Sequence, residues 1–410
     1  MTRINCIEEL HPAGGPGRFV LSRAEDFLSD QAEPYWGKVQ LIYLDPPFGT
    51  GDTFRVRVQT TRRTVSVPVY ADTKTGEDYV AWMREILMGC HRLLRSDGSI
   101  YLHVDYRMSA KMRILLDEIF GEKNFMDEIV WAYRSGGRST RYFPRKHDTI
   151  LFYRKTRNVY FNISAVGKPR GPEKRNHMKR FVDDAGRVCF SIKTGGKTYV
   201  YTEDMPAYPT DVWADIEHLQ QKDPERSGYA TQKPEALLDR IICASSRPGD
   251  LVCDLFSGSG TTASVAAKRG RAFLAVDASP IAMNCLRRRL IRNAQATDLF
   301  AENQPFSLVY PAGENEPKLQ YSVVTKDRRP WLRLSSVDFG RGYALAYAAV
   351  GTVGACRFEP HATSFVPKLP LYLPLDDLKR PVLCVSDGLG RQAFVGIEPS
   401  DPSESNEDKP

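Results

Sequence analysis

The stretch VQLIYLDPPF, residues 39–48, decides the fold. Val39 to Leu44 read as a short buried strand that runs directly into a turn at Asp45, Pro46 and Pro47. Such a turn stands at the carboxyl end of its strand, where open α/β sheets bind ligands. Downstream, Tyr79, Val80, Met83, Ile86, Leu87, Cys90 and Leu94 recur at helical spacing. SDGSIYLHVD then supplies a turn at Asp97-Gly98 and a second strand. SAKMRILLDEIFG reads as a helix stopped by Gly121, and HDTILFYRK as a strand from Thr149 to Tyr153. Strand and helix alternate, so the first third of the chain is α/β.

After Asn162 the periodicity fades into NISAVGKPRGPEKRNHMKRFVDDAGR, rich in Gly, Pro and charge, which suggests an inserted module. The α/β pattern returns near Thr231. KPEALLDRIICASS is an amphipathic helix, DLVCDLF a strand, TTASVAAKRG a helix ended by Gly270, AFLAVD a strand, and PIAMNCLRRRLIRNA a helix. From about Asn303 strand-like runs such as LQYSVV, YALAYAAV and PVLCVS are separated by Pro and Gly. The expected organisation is a core split into 1–133 and 229–302, an insert at 134–228, a β-rich extension at 303–400 and a disordered tail at 401–410.

Composition narrows the function. Hydrophobic residues at 42% and charged residues at 26% are ordinary for a globular protein, and no apolar run approaches the roughly 20 residues of a membrane span. The start, MTRINCIEELHPAGGPG, lacks the apolar stretch of a secretory signal, so a cytoplasmic protein is expected. Eight cysteines form no Cys-x-x-Cys pair and the seven histidines are dispersed, so no metal site is expected. The net charge is only +7, yet Arg134 to Lys197 holds seventeen Lys or Arg against four Asp or Glu. So concentrated a surplus points to a polyanion, although a solvated basic loop has the same composition.

Two motifs carry chemistry. Asp254, Leu255, Phe256, Ser257, Gly258, Ser259, Gly260, Thr261 and Thr262 lie between a strand and a helix, with acidic Asp277 ending the next strand. The glycines permit a tight turn and close approach of a ligand, and the acidic residue is spaced to bind ribose hydroxyls. Gly258-x-Gly260-x-x-Ala263 also satisfies the dinucleotide fingerprint, so alone it leaves a dehydrogenase open. The second motif is Asp45-Pro46-Pro47-Phe48. The lone pair of an aromatic amino group is delocalised into its ring, and two acceptors aimed at the two hydrogens would localise it. The Asp45 carboxylate and the Pro46 carbonyl can be that pair, stiffened by the consecutive prolines, while Phe48 offers a stacking face for an extruded base. Alone, the tetrapeptide also reads as a loop capping a strand.

Together with LLDEIFGEKNF and TQKPEALLDRIICASSRPGD, these motifs make the chain resemble the amino-methyltransferases of restriction and modification systems, in the permuted order of the beta group. The resemblance runs from about Val20 to Arg292. It implies a Rossmann-like core with a mixed seven-stranded sheet, S-adenosyl-L-methionine as cofactor and double-stranded DNA as substrate. It places Asp254, Phe256, Ser257, Gly258, Ser259, Gly260, Thr261 and Asp277 at the cofactor, with Thr231, Gln232, Lys233 and Pro234 flanking its methionine end. It makes Arg134 to Gly228 the target-recognition region, where Arg138, Arg141, Arg145 and Lys146 are candidate DNA contacts. Relatives often dimerise and often accompany a restriction endonuclease. Two departures stand out: Ser22-Arg23 where many relatives carry Gly-Asp, leaving Asp26 or another group to hold the cofactor's adenine, and Gly49 where many carry Asn.

Asp at the head of the tetrapeptide resembles the adenine-N6 enzymes more than the cytosine-N4 enzymes. Methylation at cytosine carbon 5 would need a cysteine nucleophile, typically beside proline, and the chain has no Pro-Cys pair. Protein glutamine methyltransferases typically begin the tetrapeptide with Asn and place it after the glycine motif. A DNA-binding regulator on the same scaffold would account for the two departures but not for intact Asp45.

Overall fold

The computed structural model describes residues 5–9, 17–59, 63–134, 139–170, 177–220, 222–229, 231–295, 306–311, 317–327, 329–340, 343–354, 357–365, 367–376 and 378–397. At its centre stand seven strands in the order Phe125–Ala132, His147–Arg154, Leu94–Val104, Val39–Leu44, Leu251–Asp254, Ala272–Asp277 and Gly17–Leu21. His147–Arg154 runs antiparallel to both neighbours, and the other pairings are parallel. This is the expected mixed, Rossmann-like α/β core, and Val39–Leu44 is buried at every residue.

Helices on both sheet faces cause that burial. Leu41 and Tyr43 pack on one face with Leu237, Ile241, Ala263 and Met283, from the helices Glu235–Ser245, Thr261–Lys268 and Pro280–Gln295. Ile42 and Leu44 pack on the other with Met83, Leu87 and Leu115, from Gly76–Leu93 and Ser109–Phe120. Each buried Leu, Ile or Met among these contributes roughly 1.5–3 kcal/mol of transfer free energy.

Three features depart from the sequence reading. Asp97-Gly98 is not a turn, because Leu94–Val104 is one continuous strand. A Cβ on Gly98 would lie 2.9 Å from the Gln40 carbonyl oxygen and 3.0 Å from that of Val39, so this glycine serves close approach of two strands. Second, His147–Arg154 belongs to the central sheet although it falls within 134–228. The chain after it leaves the core to carry a small sheet of Lys179–Val182, Val188–Thr194 and Lys197–Thr202, and returns at Val212–Trp213, which pairs in parallel with Phe125–Ala132. Third, a hairpin of Thr53–Gln59 and Thr64–Ala71 follows the tetrapeptide, where none was expected.

The β-rich extension continues the core sheet. Phe306–Pro311 pairs in parallel with Gly17–Leu21, so that strand is no edge, and the sheet runs on through Asn5–Glu9, Arg357–Phe365, Leu345–Gly354, Val382–Asp387 and Gln392–Gly396. Covering an edge removes a row of unpaired backbone groups. Fully buried Arg287, from Pro280–Gln295, ties extension to core: its Nη2 donates to Gln392 Oε1 at 2.8 Å and its guanidinium lies 4.3 Å from the Tyr347 ring centre. The 401–410 tail lies outside the described residues.

Candidate active site

Leu251–Asp254 lies beside Val39–Leu44 with Val252 opposite Leu41 and Cys253 opposite Ile42. Asp45 and Asp254 therefore leave the same sheet edge side by side. Between them opens a cavity of about 240 Å³, walled by Asp45, Pro47, Thr231, Lys233, Asp254, Phe256, Ser257, Gly258, Ser259, Thr261 and Asp277, among others.

The glycine turn is fixed by its carboxylates. Asp254 accepts from the Phe256 N–H at 2.9 Å and the Thr262 hydroxyl at 2.6 Å. Asp277 accepts from the N–H groups of Gly258 at 2.7 Å and Ser279 at 2.8 Å. Gly260 has φ +76°, and a Cβ there would stand 2.6 Å from Leu286 Cδ1, so both its backbone conformation and the neighbouring helix demand glycine. Desolvation pushes Asp254 up to about 7 against the hydrogen bonds of Thr262 and Phe256, with the charges of Asp45 and Asp277 adding to the rise. Desolvation likewise lifts Asp277 to about 6 against its two N–H donors. Ser257 Oγ, on the same wall, is buried and has no hydrogen-bond partner among the described residues. Carboxylates strained toward protonation and an unsatisfied hydroxyl fit a polar ligand that carries positive charge.

Opposite the turn, Lys233 Nζ donates to Asp45 Oδ2 at 2.6 Å, with side chains only 10% and 16% exposed respectively. The Phe48 ring stacks on His103 with centres 6.1 Å apart. His103 is fully buried, with Nδ1 2.8 Å from the Tyr43 hydroxyl and Nε2 3.1 Å from Asp148 Oδ2. Tyr133 donates to the other Asp148 oxygen at 3.2 Å. Burial raises the Asp148 carboxyl, but the hydrogen bond and charge of His103 outweigh it and hold Asp148 down at about 2.

A family model described as DNA methylase, that of the N6/N4 methyltransferases, matches residues 39–286. The chain belongs to the N6/N4 DNA methylase family. It is 30% identical over 300 residues to the Type II methyltransferase M.EcaI of Enterobacter cloacae, covering 62% of this chain and 64% of that enzyme, and so spans less than two thirds of its length. To the DNA adenine methyltransferase YhdJ of Escherichia coli K12 it is 29% identical over 249 residues, covering 58% of this chain and 71% of that protein. Among solved structures, the M1.HpyAVI–SAM complex matches with TM-score 0.42 and 18% identity, covering 67% of this chain and 98% of that chain.

Not every expected residue lines the cavity. Gln232 braces its loop, accepting from Ser227 N–H at 2.7 Å and donating to the Glu225 carbonyl at 2.8 Å. Pro234 precedes the helix Glu235–Ser245 at its N-cap, Gly260 stands at the N-cap of Thr261–Lys268, and Pro46 and Phe48 lie outside the walls. Conversely, the walls include Trp82, Tyr43, Tyr229, Asp72, Lys74 and Glu25, none of which sequence reading singled out, together with Arg23 of the Ser22-Arg23 departure. Trp82 meets Phe256 edge-on at 5.6 Å. At the departure from Gly-Asp, Glu25 reaches the cavity while Asp26 is exposed and outside it. Position in helix Ala24–Asp30 decides between them, which the acidic pair in the sequence could not.

Of the four candidate DNA contacts, Arg138 lies outside the described residues. Arg141, Arg145 and Lys146 share the loop entering His147–Arg154. Arg145 is held against two rings, its guanidinium 4.0 Å from the centre of Tyr106 and 4.7 Å from that of Tyr142.

Proposed function

We propose that the protein methylates the N6 amino group of adenine in duplex DNA, using S-adenosyl-L-methionine. One observation carries this reading: Asp45 and the turn from Asp254 to Thr261 face each other across a single cavity at the ends of adjacent parallel strands. Bound there, the cofactor supplies an electrophilic methyl group on a sulfonium. Asp277 and Gly258 are set to hold a nucleoside, and Lys233, Thr231 and Asp254 border the remaining space. Lys233 takes one Asp45 oxygen, leaving the other to accept from the adenine amino group, while the Pro46 carbonyl accepts the second hydrogen. The two acceptors localise the nitrogen lone pair toward the methyl carbon. Methyl transfer would form the nitrogen–carbon bond at the expense of the cofactor's carbon–sulfur bond, and Asp45 or water would take the proton that the nitrogen sheds. Phe48, backed by His103, provides a stacking face for the extruded base.

Adenine rather than cytosine is supported by Asp at position 45 and by the likeness to an adenine methyltransferase. The basic loop and small sheet that leave the core between Arg134 and Gly228 are the proposed DNA surface. The test is incubation with methyl-labelled cofactor and genomic DNA, followed by digestion to nucleosides and mass spectrometry. N6-methyladenine is expected from the native chain and none from Asp45→Ala. N4-methylcytosine would reassign the base, and no labelled nucleoside would overturn the reading.

A further inference from the structure

We infer that Phe143 is a wedge that enters the duplex and fills the space an extruded base leaves, an inference that rests on the methyltransferase reading. The loop of residues 133–146 joins the end of Phe125–Ala132 to the start of His147–Arg154. Those ends lie at the same sheet edge as Asp45, because Val104 pairs with Thr149 and Leu94–Val104 lies directly beside Val39–Leu44. At that rim Phe143 is 96% exposed. A lone phenylalanine so fully in water gains nothing for folding.

Its surroundings hold it outward. Arg145 sits against Tyr106 and Tyr142, fixing the loop to the segment that follows Val104. Ser139 Oγ accepts from the N–H groups of Arg141 at 3.2 Å and Tyr142 at 3.3 Å, which turns the chain just before the phenylalanine. Pro144 then fixes its own φ and biases Phe143 toward extended backbone. The result is a stiff apolar tip flanked by Arg141, Arg145 and Lys146. Cations beside an apolar side chain suit a duplex, whose phosphates attract the charges while its stack accepts a flat ring between bases.

A wedge lowers the energy of the opened duplex, so its loss is felt only where opening costs energy. The test compares two duplexes bearing the site mapped by methylation sequencing, one fully paired and one with an abasic residue opposite the target base. Phe143→Ala is expected to lower kcat/KM on the paired duplex by about tenfold or more and to return to within about threefold of the native chain on the abasic duplex. Phe143→Leu, which keeps an apolar tip, should retain most activity on both. Equal defects on the two duplexes, or native activity of Phe143→Ala on the paired one, would overturn the wedge. A native chain that methylates neither duplex would overturn the methyltransferase reading, and the wedge with it.

Discussion

Lys233 Nζ and Asp45 Oδ2 lie 2.6 Å apart, although 188 positions separate the residues in sequence. The same lysine is tied by its main chain to the glycine turn, since the Thr261 hydroxyl donates to the Lys233 carbonyl at 3.2 Å. One residue thus spans the two halves of the split core, side chain toward the proposed catalytic carboxylate and backbone toward the proposed cofactor turn. If it works by holding Asp45, Lys233→Ala lowers kcat by about a hundredfold. Combined with Asp45→Asn, it then adds little to the residual rate left by Asp45→Asn alone. Single-turnover transfer by the two single variants and the double variant measures this, and additive losses would place Lys233 in a separate role.

The raised carboxyls make a pH prediction. Asp254 titrates at about 7 and Asp277 at about 6. An acid whose pKa rises on folding stabilises the fold fully below its unfolded value of about 4, and that contribution is lost as pH climbs through the folded value. The ligand-free protein should therefore lose stability between about pH 4 and pH 7. A cationic ligand prefers both groups ionised, so affinity for S-adenosylmethionine should increase by on the order of tenfold from pH 6 to pH 8, with protons released on binding. Calorimetric titration in buffers of different ionisation enthalpy reads both quantities. Asp277→Asn should flatten part of the slope, and an unchanged profile would remove Asp277 from the linkage.

Gly260→Ala tests the turn through its backbone. The new side chain would hold φ +76° and press on Leu286, including its Cα at 3.2 Å. The expected cost is about 2–4 kcal/mol, from left-handed backbone plus overpacking. Urea unfolding measures it, and a shift below about 1 kcal/mol would show that the helix Pro280–Gln295 yields more readily than its packing implies.

What could be read in the sequence follows from where the information is local. Val39–Leu44 and Leu251–Asp254 announce themselves through apolar runs, and Asp45, Asp254 and Asp277 through turns at strand ends. The hairpin Thr53–Ala71 brings Asp72 to the cavity, and helix Gly76–Leu93 brings Trp82, by tertiary packing alone. Gly98 misled because a glycine after Asp signals a turn as readily as it serves close strand approach. The extension escaped as part of the sheet because its partner strand, Gly17–Leu21, lies at the opposite end of the chain.

His103 was invisible for the same reason, since nothing around LHVD marks a histidine that stacks beneath Phe48 and joins Tyr43 to Asp148. Its place predicts a split between the two ligands. His103→Ala removes the support of the Phe48 ring and leaves Asp148 with Tyr133 as its remaining side-chain hydrogen-bond donor of those described, at a stability cost of about 2–4 kcal/mol. The cofactor cavity does not include His103 or Phe48, so cofactor affinity should stay near native. Methyl transfer to DNA should fall by about tenfold or more through a looser base position. Asp148→Asn keeps a hydrogen-bonding group beside His103 and should fall between native and His103→Ala. Equilibrium dialysis with cofactor, run beside single-turnover methylation, separates the two ligands. Equal loss of both would mean that His103 only stabilises the core, whereas loss confined to DNA methylation would make it the residue that positions the stacking face.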